Sequence, residues 1–318
     1  MKLIYNDIFF EHDTGMHPES HKRLEPFQGL ISTPVKSGES YLELIHTSEY
    51  IRRVEKSCKE GIRLDEDTAT SPGSWEAALF AVGATLMAAE QNDFALVRPP
   101  GHHAYPERSS GFCLFNNIAI ATQKLVNEGK KVLIFDFDGH LGDGTSHIFY
   151  DTDKVMYWSQ HQYPAFPGHG FVGEIGEGAG KGFTINVPLP PYSGDDIFMD
   201  AVRDFLPVAK QFEPDVVAIS AGFDAHRFDP LLDLHVSVGS FYKIGKLLRE
   251  NFDNVFATLE GGYSVMDLYR GVLNFLAGIN GEPMPFEEKE SSSTILVWQT
   301  YEMNKSMVHT NLSKFWKI

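Results

Sequence analysis

The chain has 318 residues, 42% hydrophobic and 22% charged, with 27 Lys+Arg against 43 Asp+Glu for a net charge of −16. That balance excludes a disordered, collagenous or disulfide-stapled chain and argues against a nucleic-acid-binding surface. No apolar run approaches the ~20 residues that span a bilayer, and Asp7 and Glu11 interrupt MKLIYNDIFFEHD too early for a secretory signal. Cys58 and Cys113 form no Cys-x-x-Cys pair and no disulfide framework, which points to a reducing cytoplasm.

In chain order, short apolar runs predict strands at 2–5 (KLIY), 94–97 (FALV), 131–138 (KVLIFDFD), 154–159 (KVMYWS), 215–220 (DVVAIS) and 255–260 (VFATLE). Helix-period stretches fall between them at 74–90, 116–128, 196–211, 239–252 and 265–277. Several strands are apolar without strict alternation, as strands buried on both faces of a parallel sheet are. The expected fold is therefore α/β, with a central, mostly parallel sheet flanked by helices and right-handed crossovers. No linker interrupts residues 1–280, so one domain is expected over 1–318. EPMPFEEKESSS (282–293) is the one composition break, and Trp298, Tyr301, Met307, Leu312 and Trp316 predict a C-terminal helix within 294–318 that packs back on the body.

In an open α/β sheet the ligand sits beyond the carboxyl ends of the strands. Polar, ionisable and glycine residues accumulate there: RPPGHHA (98–104), DFDGHLGDGT (136–145), SQHQ (159–162), AGFDAHRFDP (221–230) and EGGYS (260–264). Asp136, Asp138 and His140 alternate at the end of an apolar strand, which places them on one side of the chain. Buried carboxylates need a partner, and KVLIF supplies no cation. A salt-bridged strand end is one reading; a metal ion is the better one. Two such residues plus one carboxylate from elsewhere leave open positions, as in catalytic zinc sites. Asp224 is the best third ligand, with Gly222 allowing a close backbone approach; Asp229 reads as turn chemistry and His226 as a core histidine.

His102 and His103 follow a rigid Pro-Pro-Gly turn. Adjacent side chains on an extended segment point opposite ways, so acid–base work beside a metal fits them better than shared ligation. Asp136 and Asp143 are the available orienting carboxylates. Tyr263, after Gly261-Gly262, offers a neutral donor to a developing oxyanion, although a GGY turn alone is weak evidence. Phe112, after Gly111, and Phe166 sit on glycine-flanked loops and read equally as tunnel walls or ordinary core.

RPPGHHA, GFCLFNN (111–117), DFDGHLGDGT, SAGFDAHRFDP and LEGGY, in this order, resemble the zinc-dependent histone deacetylase and acetylpolyamine amidohydrolase superfamily. The similarity runs from Gly15-x-His17-Pro18-Glu19 to about Gly278. It implies a single-domain arginase-like α/β fold and a zinc-dependent deacylase acting on an acetyl-lysine or acetylpolyamine type of amide. Asp138, His140 and Asp224 would then ligate zinc, His102 would pair with Asp136, and His103 with Asp143. His103 would act as base and Tyr263 as oxyanion donor, while Gly111, Phe112 and Phe166 would line the acyl-lysine tunnel. Structural potassium is implied at Asp136, Ser159 and the carbonyls of Asp138, His140 and Gln160, and again at the carbonyls of Phe149, Thr152 and Val155.

Three features depart from relatives or vary among them. Leu141 stands where many members carry a second histidine, and Asp143 where many carry asparagine. Leu231, seven residues after Asp224, replaces the glutamate by which one polyamine-selective branch gates its substrate. Glu66, Asp67 and Glu107 are acidic rim candidates that could replace it. The partner is expected to be a small-molecule or peptide acyl-amine, not nucleic acid or membrane, and a homodimer or higher homo-oligomer stays open. Two rivals share the fold: a dinuclear manganese ureohydrolase of the arginase or agmatinase kind, and an inactive deacetylase-fold binding protein.

Overall fold

In the computed structural model, which describes residues 1–318, seven strands form one sheet with every neighbouring pair parallel. They are β1 (Leu3–Ile4), β2 (Phe94–Ala95), β3 (Val132–Asp136), β4 (Val155–Gln162), β5 (Thr184–Leu189), β6 (Val216–Ala221) and β7 (Val255–Leu259). Their order across the sheet is β1-β2-β7-β6-β3-β4-β5. Every residue of β3, β4 and β6 is buried, which is why β3, β6 and the Val155–Trp158 half of β4 read as apolar runs and not as an in-out alternation.

The helices between and after them are α1 (Ser48–Glu60), α2 (Ser74–Gln91), α3 (Asn117–Asn127), α4 (Asp143–Ile148), α5 (Asp195–Gln211), α6 (Val238–Asn251), α7 (Val265–Asn280) and α8 (Ile295–Leu312). α2 is so rich in buried alanine, leucine and valine that it has no polar face, and it packs against α3 and β7. One continuous hydrophobic cluster reaches from Ile4 to Leu312.

Three elements escape the sequence reading, each for a physical reason. β5 carries Pro188, which a central strand rejects; β5 lies at the sheet edge, where a missing N–H costs little. α1 is mostly charged and buries only Tyr50, Val54, Ser57 and Cys58 on one stripe; Thr47 caps its start and Gly61, at φ +62°, ends it. α4 is a helix of only 6 residues that starts at the DGT and runs on to Ile148, too short to show a helical period.

α8 lies along the β5 edge. Asn304 Nδ2 donates to the Pro188 carbonyl at 3.0 Å, and Trp316 Nε1 to the Gly182 carbonyl at 2.6 Å. The composition break before it is a bonded strap. Ser291 and Ser293 donate to Asp195 and Asp196 at the start of α5, and Glu288 accepts from His226 Nε2 at 3.0 Å.

Parallel pairing brings all the carboxyl ends to one edge of the sheet. The loops after β2, β7, β6, β3 and β4 are therefore neighbours in space, though their residues are scattered from Arg98 to Tyr263.

Candidate active site

β3 ends at Asp136, so Asp138 and His140 do not lie on the strand as their alternation suggests. A hydrogen-bonded loop directs them instead. Asp138 N–H donates to Asp136 Oδ1 at 3.2 Å, and His140 N–H donates to Asp138 Oδ1 at 2.9 Å. Asp224 enters from the loop after β6. Its Oδ1 accepts from Gly139 N–H at 2.7 Å and its Oδ2 from His140 Nδ1 at 2.8 Å. A Cβ on Gly222 would stand 1.9 Å from Asp138 Oδ2, so only glycine fits there.

Asp138, His140 and Asp224 are all buried, and one donor atom from each lies within 4.8 Å of the others. Burial resists a charged imidazole, yet Asp224 and Asp138 outweigh it and raise His140 from 6.5 to about 10. Two buried carboxylates around one imidazole make a site with excess negative charge. A divalent cation fits that donor set and would replace the proton on His140.

The two histidines of the PPGHH turn do not diverge as an extended segment requires. Residues 102 and 103 lie in a turn, and their rings stand side by side with centroids 4.0 Å apart. His102 Nδ1 donates to Asp136 Oδ2 at 3.1 Å, and His103 Nδ1 donates to Asp143 Oδ1 at 2.7 Å. Burial opposes charge on His102, but Asp138 and Asp136 outweigh it and hold its pKa well above the ordinary value. Burial, then the neighbouring His102, pushes His103 down to about 4. The two carboxylates thus favour the charged form of His102 and burial the neutral form of His103, and a neutral imidazole can accept a proton.

His103, His140 and Tyr263 line a cavity of about 240 Å³ together with Asp67, Gly111, Phe112, Phe166 and Leu231. Gly111 has φ +51°, and a Cβ there would meet the His103 ring at 2.3 Å. Phe112 holds φ +70°, an unusual conformation for a bulky residue. Edge-on contacts with His17 and Tyr263, at 4.6 and 5.8 Å between centroids, hold its ring in the wall. Phe166 is 45% and Leu231 38% exposed, so both stand at the mouth. Burial keeps the Tyr263 phenol well above its ordinary pKa, so it stays a neutral donor.

Of the acidic rim candidates, Asp67 lines the cavity, while Glu66 and Glu107 are exposed and outside it. Leu141 points to a separate cavity of about 280 Å³ behind the Asp143 carboxylate. His226 bonds Glu288, as its core reading requires. Ser159 donates to His161 at 2.9 Å; Gln160, Phe149 and Val155 are buried, and Thr152 is partly exposed.

Residues 16–279 match the model of the histone deacetylase domain. The chain belongs to the histone deacetylase family. It is 34% identical over 355 residues to a probable deacetylase of Archaeoglobus fulgidus, covering 99% of this chain and 98% of the relative. It is 41% identical over 302 residues to a probable deacetylase of Methanothermobacter thermautotrophicus, covering 89% and 91%. A histone deacetylase-like amidohydrolase of Pseudomonas aeruginosa is 35% identical over 273 residues, covering 78% and 72%. Among solved structures, the HDA15 HD domain superposes with a TM-score of 0.89 at 30% identity, covering 99% of this chain and 94% of that one.

Within this deacetylase-family fold, three supporting groups went unread in the sequence. Arg23 is wholly buried. It donates to the carbonyls of Gly262 and Glu260, at 2.7 and 2.5 Å, and lies 5.1 Å from the centre of the Tyr263 ring. Glu260 accepts from the N–H groups of Gly101 and His102, at 2.8 and 3.1 Å, and so fixes the histidine turn. His17 donates to the Asp67 carbonyl at 3.1 Å while its ring supports Phe112. Glu260 had a sequence signal as a carboxylate directly after an apolar strand, and His17 only as part of the Gly15-x-His17-Pro18-Glu19 motif; Arg23 had none.

Proposed function

We propose that this chain is a zinc-dependent deacylase that hydrolyses the amide of an N-acetylated, or other short-acyl, primary amine of the acetyl-lysine or acetylpolyamine type. The observation that carries the reading is one buried Asp138–His140–Asp224 cluster whose His140 shares a narrow cavity with His103 and Tyr263. Three protein donors suit a mononuclear centre with open positions, and this single three-residue cluster does not favour a dinuclear manganese site. Zinc bound there supplies Lewis acidity, polarising the amide carbonyl and lowering the pKa of water toward neutrality.

The chain's own residues supply the remaining chemistry. Phe112 and Phe166 confine an extended aliphatic amine so that its amide reaches the buried end of the cavity. His103, neutral and oriented by Asp143, accepts the proton of the attacking water and returns it to the leaving amine. His102, held by Asp136, remains a fixed positive charge beside the reacting centre. Tyr263 donates its hydroxyl to the developing oxyanion. The products are acetate and a free amine.

Asp67 at the cavity and the net charge of −16 support a cationic amine, and Leu231 supports a route other than a glutamate gate. Structural potassium belongs to the same proposal, held by Asp136, Ser159 and the carbonyls of Asp138, His140 and Gln160, and by the carbonyls of Phe149, Thr152 and Val155. Acetate release from an acetyl-lysine peptide and an acetylated polyamine, measured side by side, tests the reading. Release from either supports it, and the faster of the two names the amine. Release from neither by protein with zinc bound would overturn it for acetyl amides.

A further inference from the structure

The proposed oxyanion donor is carried on a glycine-paired turn after β7. Tyr263 follows two glycines, and Gly262 sits at φ +119°. The Tyr263 hydroxyl bonds to no other protein group, so the phenol is placed by the Phe112 and Arg23 contacts on its ring and by how its backbone is held. Arg23 holds the carbonyl of Gly262 on one side of that backbone. On the other side the Tyr263 N–H donates to Asp229 Oδ2 at 2.7 Å. Asp229 is only 7% exposed, and its second oxygen, Oδ1, accepts from the Leu231 N–H at 3.0 Å. Its own N–H donates to the His226 carbonyl at 2.8 Å, which ties it to the loop that carries Asp224.

One carboxylate thus joins the two loops that supply Tyr263 and the Leu231 wall. We propose that Asp229 is a positioning residue for the deacylase reaction, holding the Tyr263 hydroxyl where the oxyanion forms through its bond to the Tyr263 backbone. This rests on the proposed function, because it assigns Asp229 an effect that passes through the phenol. Two oxygens serve two N–H groups, so an amide of the same shape can serve only one of them. In Asp229→Asn the amide can still turn its oxygen to the Tyr263 N–H and leave only the Leu231 N–H unpaired, whereas Asp229→Ala removes both acceptors.

A double-mutant cycle separates this role from a general structural one. Asp229→Ala is expected to lower kcat at least about tenfold with KM nearly unchanged. In a Tyr263→Phe background the same change should cost less than about twofold, because the hydroxyl it positions is gone. Equal losses in both backgrounds, or no loss in the parent, would overturn the proposal. Hydrogen exchange provides a readout independent of turnover. Peptides spanning residues 260–264 should lose protection in Asp229→Ala, and unchanged protection would show that the anchor is absent. Failure of the deacylase reading looks different: the parent protein would then release no acetate with zinc bound, whereas full turnover in Tyr263→Phe alone would remove only the oxyanion role.

Discussion

His103 and Asp143 are joined by a 2.7 Å contact between Nδ1 and Oδ1, and the other Asp143 oxygen accepts the Tyr105 hydroxyl at 2.9 Å. The carboxylate raises the basicity of an imidazole that burial and His102 push down. Asp143→Asn keeps the shape and removes the charge. The account predicts a fall in kcat of about tenfold or more, since the base weakens while staying neutral at the working pH. Affinity for a hydroxamate inhibitor should change little by comparison. A pH–rate profile and an inhibitor titration on the same variant check both parts.

Asp67 is the acidic group that reaches the cavity. Burial, then its bond with the Asp65 carboxyl, raises its pKa to about 6. Its charge is therefore acquired as pH rises through that value. For a cationic substrate, KM should fall over the same interval, and Asp67→Asn should remove that dependence and raise KM. A neutral acylated amine should show neither effect. Steady-state kinetics with a charged and an uncharged substrate, at pH values on both sides of about 6, decide it.

His46 links the fold to acid stability. The Asn116 N–H donates to its Nε2 at 2.9 Å, and its Nδ1 donates to the Tyr105 carbonyl at 3.1 Å, so the bonded form is neutral. Burial lowers its pKa from 6.5 to about 4. Below 6.5 the unfolded chain takes up a proton that the folded chain refuses. The contribution is complete above that value and is lost as pH falls toward about 4, by up to about 3 kcal/mol. His46→Gln can keep both bonds without titrating. Denaturant midpoints at about pH 7.5 and about pH 5 should fall less in this variant than in the parent.

Much of the frame was readable because its signals are local. The helices expected at 74–90, 116–128 and 196–211 appear at 74–91, 117–127 and 195–211, bounded by the glycine, asparagine and acidic residues that mark helix ends. The candidate site residues could be singled out because ionisable groups after buried strands have few structural uses. What escaped depended on tertiary context. Pro188 is tolerable only because β5 is an edge strand, and α1 is stable because four residues of a charged segment find the core. Asp67 reaches the cavity through a loop fixed by bonds from its own N–H and that of Thr68 to Asp65. The adjacency of His102 and His103 comes from a turn, which adjacent positions in a sequence do not specify.

The central claim is that hydrolysis depends on a metal held by Asp138, His140 and Asp224. The most direct measurement is acetate release by protein stripped with a chelator and then titrated with zinc. Asp138→Ala should be titrated in parallel. The account predicts loss of activity on stripping, recovery that saturates near one zinc per chain, and neither zinc retention nor recovery in the variant. Full activity in the stripped protein, or an Asp138→Ala variant that holds zinc and turns over normally, would contradict it.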